Sequence, residues 1–339
     1  MSHLNAFFES IITRAALTSG ELAVTVLLVF FVVLSTIEAR APKIQNPASG
    51  KRRSIQINVN FFFFNSAALS LLPVSSLLLL AEQYSGNGLL GYIANPVWKV
   101  IVSFLAFDLM YYLWHKASHS FDCLWIFHRV HHSDPHLTVS TAFRVHFVEL
   151  LIITALKAVY IVMLGADKTI VLINETITTL FVMFHHANVA FRGEKLLGRV
   201  IIAPYLHRVH HSTERHEHDR NYGSVLSVWD RLFGTCAELE PVKVGIKNNV
   251  PQDLMSLLKL GFTNAAVPAA AVPEHIKPMI AEAAYFKAKK RGFSPGHELR
   301  DWLEAEREII RLICKSRLQK KPMPKQKMLN PRLILSRYV

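Results

Sequence analysis

The sequence predicts an all-α integral membrane protein, a bundle of about four to five membrane helices with a cytoplasmic helical cap that carries a histidine-rich site. Residues 54–81 contain no charged side chain, and this run of 28 residues exceeds the ~20 that a helix needs to cross a bilayer. Such runs fit the overall composition, because 51% of the chain is apolar. Fourteen of the 17 histidines lie between His115 and His218, close to predicted helix ends.

Five apolar segments are predicted to cross the membrane in alternating directions, namely residues 22–37, 58–81, 97–114, 147–164 and 169–184. The loop between the first two carries five Lys or Arg residues, and short basic loops stay in the cytoplasm. The uncharged, turn-rich residues 84–96 then form a short external loop. Glu149 and Lys157 interrupt the fourth segment. With this topology, every histidine cluster emerges on the cytoplasmic side.

Changes in composition divide the chain into an N-terminal segment, a membrane domain, an Ala/Pro-containing linker, a small helical module and a basic tail, at residues 1–20, 21–240, 241–279, 280–314 and 315–339. The tail holds eight Lys or Arg residues and no acidic one, which favours contact with an anionic membrane surface. Topology and tail together account for the net charge of +13, so nucleic acid is not an expected partner. The three cysteines indicate neither a disulfide framework nor a thiolate metal site.

The spacing of the histidines predicts a metal site. His115 and His119 are four residues apart, and the pentapeptide HRVHH occurs twice, at 128–132 and 207–211. Side chains three or four residues apart share one side of a helix, so each pentapeptide is expected to direct three imidazoles toward a common point. A single histidine of this kind is usually a hydrogen-bonded helix-end residue. Two triads and a pair instead predict two metal ions, because buried imidazoles without partners are costly. The remaining histidines are interpreted as ordinary polar residues: His3, His136, His216, His218, His275 and His297.

The number of nitrogen ligands bears on the identity of the metal. Imidazole suits zinc, iron, copper and nickel, but structural zinc sites close with four ligands and this chain offers about twice that number. Paired iron is therefore favoured, since two irons share the reduction of O2 and yield an oxidant for unactivated C–H bonds. Asp108, two helical turns before His115 inside a predicted span, is expected to orient a ligating imidazole. Asn188 and Asn221 are candidates for the same role.

Seven motifs occur in an order that resembles the fatty acid hydroxylase/sterol desaturase superfamily of membrane di-iron enzymes: WHKASH, HRVHHSD, TAFRVHFVE, FHHANV, HRVHHS, NYG and WDRLFGT. The similarity covers about residues 97–235. It implies these metal ligands: His115, His119, His128, His131, His132, His146, His185, His186, His207, His210 and His211. Two departures leave the tenth ligand open, since Phe147 replaces a common proline after His146 and Phe181 stands where some relatives have a histidine.

The resemblance implies an O2-dependent di-iron oxygenase that hydroxylates a membrane lipid of the sterol, sphingolipid or fatty acyl, alkylglycerol or amino-lipid type. The expected cofactors are two iron ions (Fe²⁺/Fe³⁺) with O2 as co-substrate, and zinc can replace iron in a purified sample. The sequence holds no nucleotide, haem or flavin motif, so electrons are expected from a ferredoxin-like or b-type cytochrome donor with an NAD(P)H reductase.

Two alternatives stay open at this point. A desaturase would use the same di-iron centre, because both reactions begin by removing a hydrogen atom. A non-enzymatic membrane metal-binding or transport protein belongs to another class, although transporters place their ligands near the bilayer midplane. Residues 281–309 resemble a short bacterial helical module of unknown function, which favours a bacterial inner membrane over the endoplasmic reticulum of a eukaryote.

Overall fold

The computed structural model describes residues 18–71, 77–246, 250–262 and 276–294, together with residues 298, 301–302, 304–306, 308–309 and 312. Its helices are α1 Ser19–Arg40, α2 Ala48–Ser70, α3 Leu77–Tyr84, α4 Pro96–Ser120, α5 Asp122–His132, α6 Phe147–Leu164, α7 Lys168–His186, α8 Glu194–Leu197, α9 Pro204–His210, α10 Arg215–His218, α11 Val228–Leu232, α12 Leu254–Leu260 and α13 Lys277–Lys290. Two 3₁₀ turns, Leu89–Tyr92 and Val139–Phe143, complete the helical elements. Within the described ranges, the β-structure is limited to two isolated bridges, so the predicted all-α class is confirmed.

Three helices in the described part of the chain are long and apolar enough to cross a membrane, namely α1, α4 and α6. They correspond to three of the five predicted spans. The predicted span 58–81 differs, because α2 ends at Ser70 and α3 begins at Leu77, while residues 72–76 lie outside the described residues. The fifth predicted span is α7, which carries Asn174 and Glu175 within its length.

Capping residues determine where the long helices begin. Thr18 and Glu21 form a capping box at α1, in which the Thr18 amide donates to the Glu21 carboxylate at 2.7 Å. The Asn95 side chain accepts from the first amides of α4, where Pro96 occupies the first helical position. Asp167 caps α7 by accepting from the Ile170 amide at 2.8 Å. With these starts, His119 lies in the last turn of α4, and His185 and His186 lie in the last turn of α7.

Close contacts of Gly165 with Gly86 and Gly88 join the loop after α3 to the turn between α6 and α7. Gly165 ends α6 with φ 65°, a left-handed conformation that glycine adopts without strain. Its carbonyl accepts from the Gly86 amide at 3.0 Å. A Cβ atom on Gly88 would lie 2.3 Å from the Gly165 nitrogen, so a side chain does not fit there. The core beside this contact packs α3, α4, α6 and α7 together through residues such as Phe107, Tyr160 and Ile170.

The chain forms two compact units, Met1–Ala266 and Val267–Val339. In the first unit, α12 lies within the predicted linker 241–279, and its Leu257 packs against Ile57, Phe61 and Val130. In the second unit, Ile280 of α13 packs against Ala305 and Ile309. The domain boundaries given above stay predictions.

A buried carboxylate connects α2 to the segment that follows α5. Asp134 accepts hydrogen bonds from Ser54 at 2.5 Å, Asn58 at 2.9 Å and Thr141 at 2.7 Å, and the Arg144 guanidinium lies 3.8 Å away. Burial acts to raise the pKa of Asp134, but Arg144 and the three hydrogen bonds outweigh it, so the pKa is lowered and the carboxylate stays charged. Arg144 is itself fully buried.

We expect Asp134→Ala to lower the free energy of unfolding by about 3–5 kcal/mol, because the Arg144 guanidinium would remain buried without its anion. Denaturant titration in mixed micelles measures this loss. The matched control is Glu82→Gln, which breaks an exposed ion pair with Lys168 and should cost less than about 1 kcal/mol. Equal effects from the two substitutions would contradict a structural role for Asp134.

Candidate metal centre

Nine of the predicted ligands lie in two groups whose ligand nitrogens are within 4.8 Å of one another. The first imidazole group consists of His115, His119, His128, His132 and His210. The second imidazole group consists of His131, His186, His207 and His211. Eight of the nine residues are buried and His115 is half-buried. Each group offers at least as many nitrogens as a four-coordinate metal requires.

Both HRVHH pentapeptides contribute to both groups. In α5, His128 and His132 face the first group while His131 faces the second. The second pentapeptide reverses this division, because His207 and His211 face the second group while His210 faces the first. The physical reason is the helical period: positions i+3 and i+4 are separated by about 100° around the axis and lie on opposite sides of position i. The expectation that each triad converges on one point is therefore wrong, because each pentapeptide divides its three imidazoles between the two groups.

The two groups adjoin each other through equivalent residues of the two pentapeptides. His132 and His211 stack with ring centroids 4.5 Å apart and planes inclined by 20°. One belongs to the first group and the other to the second. This contact makes one continuous centre of nine imidazoles.

Hydrogen bonds to backbone carbonyls define the protonation of two rings in the second group. His131 Nδ1 donates to the Arg144 carbonyl at 3.1 Å, and His186 Nδ1 donates to the Val182 carbonyl at 2.6 Å. A carbonyl only accepts, so Nδ1 carries the proton in both neutral rings and Nε2 is bare. The two bare Nε2 atoms lie 3.1 Å apart, where they cannot hydrogen bond to each other. A cation between them fits this arrangement.

In the first group, carboxylates take the place of carbonyls as hydrogen-bond acceptors for two imidazoles. His128 Nδ1 lies 2.7 Å from Glu149 Oε1, and His119 Nδ1 lies 3.2 Å from Asp219 Oδ1. Such carboxylate–imidazole pairs fix the ring and increase the basicity of the opposite nitrogen. Sequence reasoning missed both acids as site residues. The signal for Glu149 was its position in an apolar segment, whereas nothing in the sequence marked Asp219.

Unpartnered buried atoms also fit a bound metal. Nε2 of His115 and of His210 are buried without a hydrogen-bond partner within the described residues. Buried polar atoms of this kind are costly unless something binds them. Burial, reinforced by neighbouring imidazoles, lowers the pKa of His132, His207 and His211 far below the usual range. These rings are therefore neutral at pH 7, which is the form that binds metals.

Two predicted ligands lie outside both groups. His146 uses both nitrogens elsewhere, since Nδ1 accepts from the Val148 amide at 3.1 Å and Nε2 donates to the Leu258 carbonyl at 3.0 Å. It caps α6 and holds α12. His185 Nδ1 donates to the Ser224 carbonyl at 3.1 Å, and its ring centroid is 3.9 Å from that of His207. His185 thus packs beside the second group, and ligation by either residue stays a prediction.

The three predicted orienting residues act on the backbone near the site. Asp108 accepts from the amides of Val225 and Leu226, each at 3.0 Å, and from the Trp229 indole at 2.9 Å. It fixes the region after α7, residues 187–235, which we call the cap, to α4. Among the described residues, its hydrogen bonds go to these groups and not to an imidazole. Asn188 bonds to both backbone groups of Ile44, by its side-chain oxygen at 2.9 Å and its side-chain nitrogen at 2.8 Å.

Asn221 positions two predicted ligands indirectly, through the backbone on either side of it. It adopts φ 56° and donates to the carbonyls of Leu206 and Ala237. The carbonyls on either side of it, those of Arg220 and Tyr222, accept from His210 Nδ1 and His115 Nδ1, each at 2.8 Å.

His218, interpreted from sequence as an ordinary polar residue, lies next to the first group. Its ring stacks on Trp125 with centroids 5.3 Å apart and planes inclined by 17°. His218, His119 and Asp219 also bring ligand atoms within 4.8 Å of one another. Since Asp219 already accepts from His119 Nδ1, we interpret this trio as the polar border of the first group.

Comparisons with known proteins agree with this geometry. Residues 100–235 match the fatty acid hydroxylase family model, and residues 277–310 match DUF2934, a family of unknown function. The resemblance seen in the motifs is therefore confirmed over residues 100–235, the part of the chain that matches this family of hydroxylases.

Similar curated proteins include the ornithine lipid hydroxylase OlsE of Rhizobium tropici, 33% identical over 168 residues that cover 49% of this chain and 50% of the relative. Alkylglycerol monooxygenase of Homo sapiens is 30% identical over 154 residues, covering 45% of this chain and 34% of the relative. The Caenorhabditis elegans enzyme of that name is 32% identical over 141 residues, covering 41% and 27%. The similarity thus spans at most about half the length of these relatives. No solved structure matches.

We expect Glu149→Ala to weaken metal binding about 10–100-fold, because His128 would lose the acceptor that orients it. Competition with a chelator of known affinity measures the change, and Glu149→Gln should lose less because its amide oxygen still accepts. The exposed Glu240→Gln serves as the control and should bind metal normally. Unchanged affinity in Glu149→Ala would contradict an orienting role for this carboxylate.

Proposed function

We propose that this protein is an O2-dependent membrane di-iron oxygenase that hydroxylates a lipid with electrons from a separate donor protein. The observation that carries the proposal is the pair of buried imidazole groups, in which nitrogens oriented by hydrogen bonds face one another. The family match over residues 100–235 supports the same reaction class. We assign one iron to each imidazole group, with the nine residues named above as ligands.

The residues of the chain prepare the site for this chemistry. Bound iron would supply the reduction of O2 and the oxidation of a C–H bond. Glu149, Asp219 and the carbonyls of Arg144 and Tyr222 keep the Nδ1 protons in place, so that the Nε2 lone pairs stay available. Burial of the rings excludes water from the ligand atoms and keeps them neutral.

We propose a polar membrane lipid as the substrate. The three candidate membrane helices support a lipid substrate, since lipids would surround a protein that spans a bilayer. The similar proteins named above are called hydroxylases or monooxygenases of an ornithine lipid and of alkylglycerols, and these names favour amino-lipids and ether lipids among the candidates. In the proposed reaction, one oxygen atom of O2 enters the lipid and the other leaves as water, with two electrons and two protons supplied from outside.

We propose that the metal centre faces the cytoplasm, in a bacterial inner membrane. The basic loop after α1 is tied to the metal-centre end of the bundle. The Lys43 amide donates a hydrogen bond to the Asn188 carbonyl at 2.9 Å, and Asn188 lies two residues after His186. Glu38, at the end of α1, accepts from the amides of Val139 and Asn188. If the basic loop is cytoplasmic, as its charge favours, then the metal centre is cytoplasmic as well.

The same topology suits an external electron donor, ferredoxin-like or a b-type cytochrome with its NAD(P)H reductase, since such proteins reach the site from the cytoplasm.

The proposal predicts a lipid product that depends on His210. Lipids of a host that expresses the protein would be compared by mass spectrometry with those of a host carrying His210→Ala. The unsubstituted protein should yield a lipid heavier by one oxygen atom, and the variant should yield none, because a buried nitrogen of the first group is lost. His216→Ala, an exposed histidine of the same cap, should leave the product unchanged.

Both variants must first show normal expression and elution. A product lighter by two hydrogen atoms would replace hydroxylation with desaturation. Lipid profiles that do not change in any host, with iron and reductant present, would contradict the enzymatic proposal and favour a metal-binding role.

A further inference from the structure

The segment that follows the metal ligand His186 exposes apolar side chains. Residues 191–200, with the sequence FRGEKLLGRV, contain exposed Phe191, Leu196, Leu197 and Val200. Leu196 exposes 67% of its surface. The same ten residues carry three exposed basic side chains and a single acidic one.

The short helix α11 extends this apolar area with the exposed side chains of Val228 and Leu232. Hydrogen bonds hold it beside α8: the Ser227 amide donates to the Val200 carbonyl at 2.9 Å, and the Ser227 hydroxyl donates to the Gly198 carbonyl at 2.8 Å. We call the combined area the cap apolar surface, formed by Phe191, Leu196, Leu197, Val200, Val228 and Leu232. The two Ser227 hydrogen bonds fix the backbone of this surface, so its apolar side chains stay exposed.

This surface differs from the rest of the cap. Residues 213–220, with the sequence TERHEHDR, expose no large apolar side chain. Each large apolar side chain gains about 1.5–3 kcal/mol when it is fully removed from water, so six together in water are costly. Contiguous exposed apolar areas of this kind mark interaction surfaces.

The cap apolar surface lies beside the C-terminal halves of α4 and α7. Phe233, next to Leu232, stacks on Tyr112 of α4 with ring centroids 5.3 Å apart. Lys116 Nζ lies 5.8 Å from the Phe233 ring centroid, at the end of this candidate span. The Phe191 ring is 6.1 Å from that of Phe184 in α7. The surface thus adjoins the C-terminal ends of α4, a candidate membrane span, and of α7.

We propose that the cap apolar surface inserts into the boundary between headgroups and acyl chains of the leaflet next to the metal centre. Its apolar side chains enter the lipid, and Arg192, Lys195 and Arg199 contact anionic lipid phosphates. Interfacial segments combine these two features, and each basic residue near an anionic surface contributes about 1 kcal/mol. The proposal concerns where the cap lies and does not depend on the reaction that the site catalyses.

Fluorescence quenching in nanodiscs tests this placement. In a full-length protein whose three cysteines are replaced by alanine, a fluorophore would be attached at Leu196→Cys or at Leu232→Cys. Lipids that carry a nitroxide just below the headgroup quench nearby fluorophores. The lipid-exposed control is Val29→Cys on α1, and the aqueous control is His216→Cys on the cap.

Both labels on the cap apolar surface should lose as much fluorescence as the label at Val29→Cys and more than the label at His216→Cys. Quenching no stronger than that at His216→Cys would overturn the proposal. Protection from a water-soluble quencher without quenching by the nitroxide lipids would assign the surface to a protein contact and would also overturn it.

A second experiment tests the proposed contact between the basic side chains and anionic lipid. Nanodiscs of phosphatidylcholine with phosphatidylglycerol should quench the label at Leu196→Cys more than nanodiscs of phosphatidylcholine alone. Replacing Arg192, Lys195 and Arg199 together with glutamine should abolish this difference. A difference that persists in the triple variant would show that these three residues do not contact the anionic lipid.

Discussion

Unprotonated imidazole nitrogens that face one another across a buried space are the constraint on which this structure depends. Five nitrogen pairs within the two groups lie 3.0–3.2 Å apart. Where Nδ1 is committed to a carbonyl or a carboxylate, the facing Nε2 atoms have no proton to share. In the pair His131–His186, where both Nδ1 atoms donate to carbonyls, the facing lone pairs repel each other unless a cation lies between them. The fold therefore keeps in place an arrangement that bound metal would make favourable.

Residues from several elements of the surrounding structure hold these rings in position. Glu149 reaches His128 from α6, while the carbonyls that flank Asn221 reach His115 and His210 from the cap. Asp108 fixes the cap to α4 through two amides and an indole. The buried Asp134–Arg144 pair holds the segment whose carbonyl at Arg144 orients His131. Each support comes from a different element, so the complete centre requires the complete fold.

Sequence spacing was sufficient to predict the nine histidines of the two groups as a set, because side chains three and four residues apart lie on the same side of a helix. It did not reveal how they divide between the two groups. His131 and His210 occupy the i+3 positions of their pentapeptides and turn away from the i and i+4 residues, which becomes visible only when α5 and α9 are brought together. The roles of His146 and Asp108 depend on α12 and on the cap, both distant in sequence, so neither followed from local pattern. Asp219 had no local signal at all.

The location of iron in the protein tests the central claim most directly. Anomalous scattering at the iron absorption edge, measured on crystals of the iron-loaded protein, locates each metal independently of any assumed ligand. We predict two peaks, one within the first imidazole group and one within the second. A single peak, or peaks bound outside these nine imidazoles, would contradict the account.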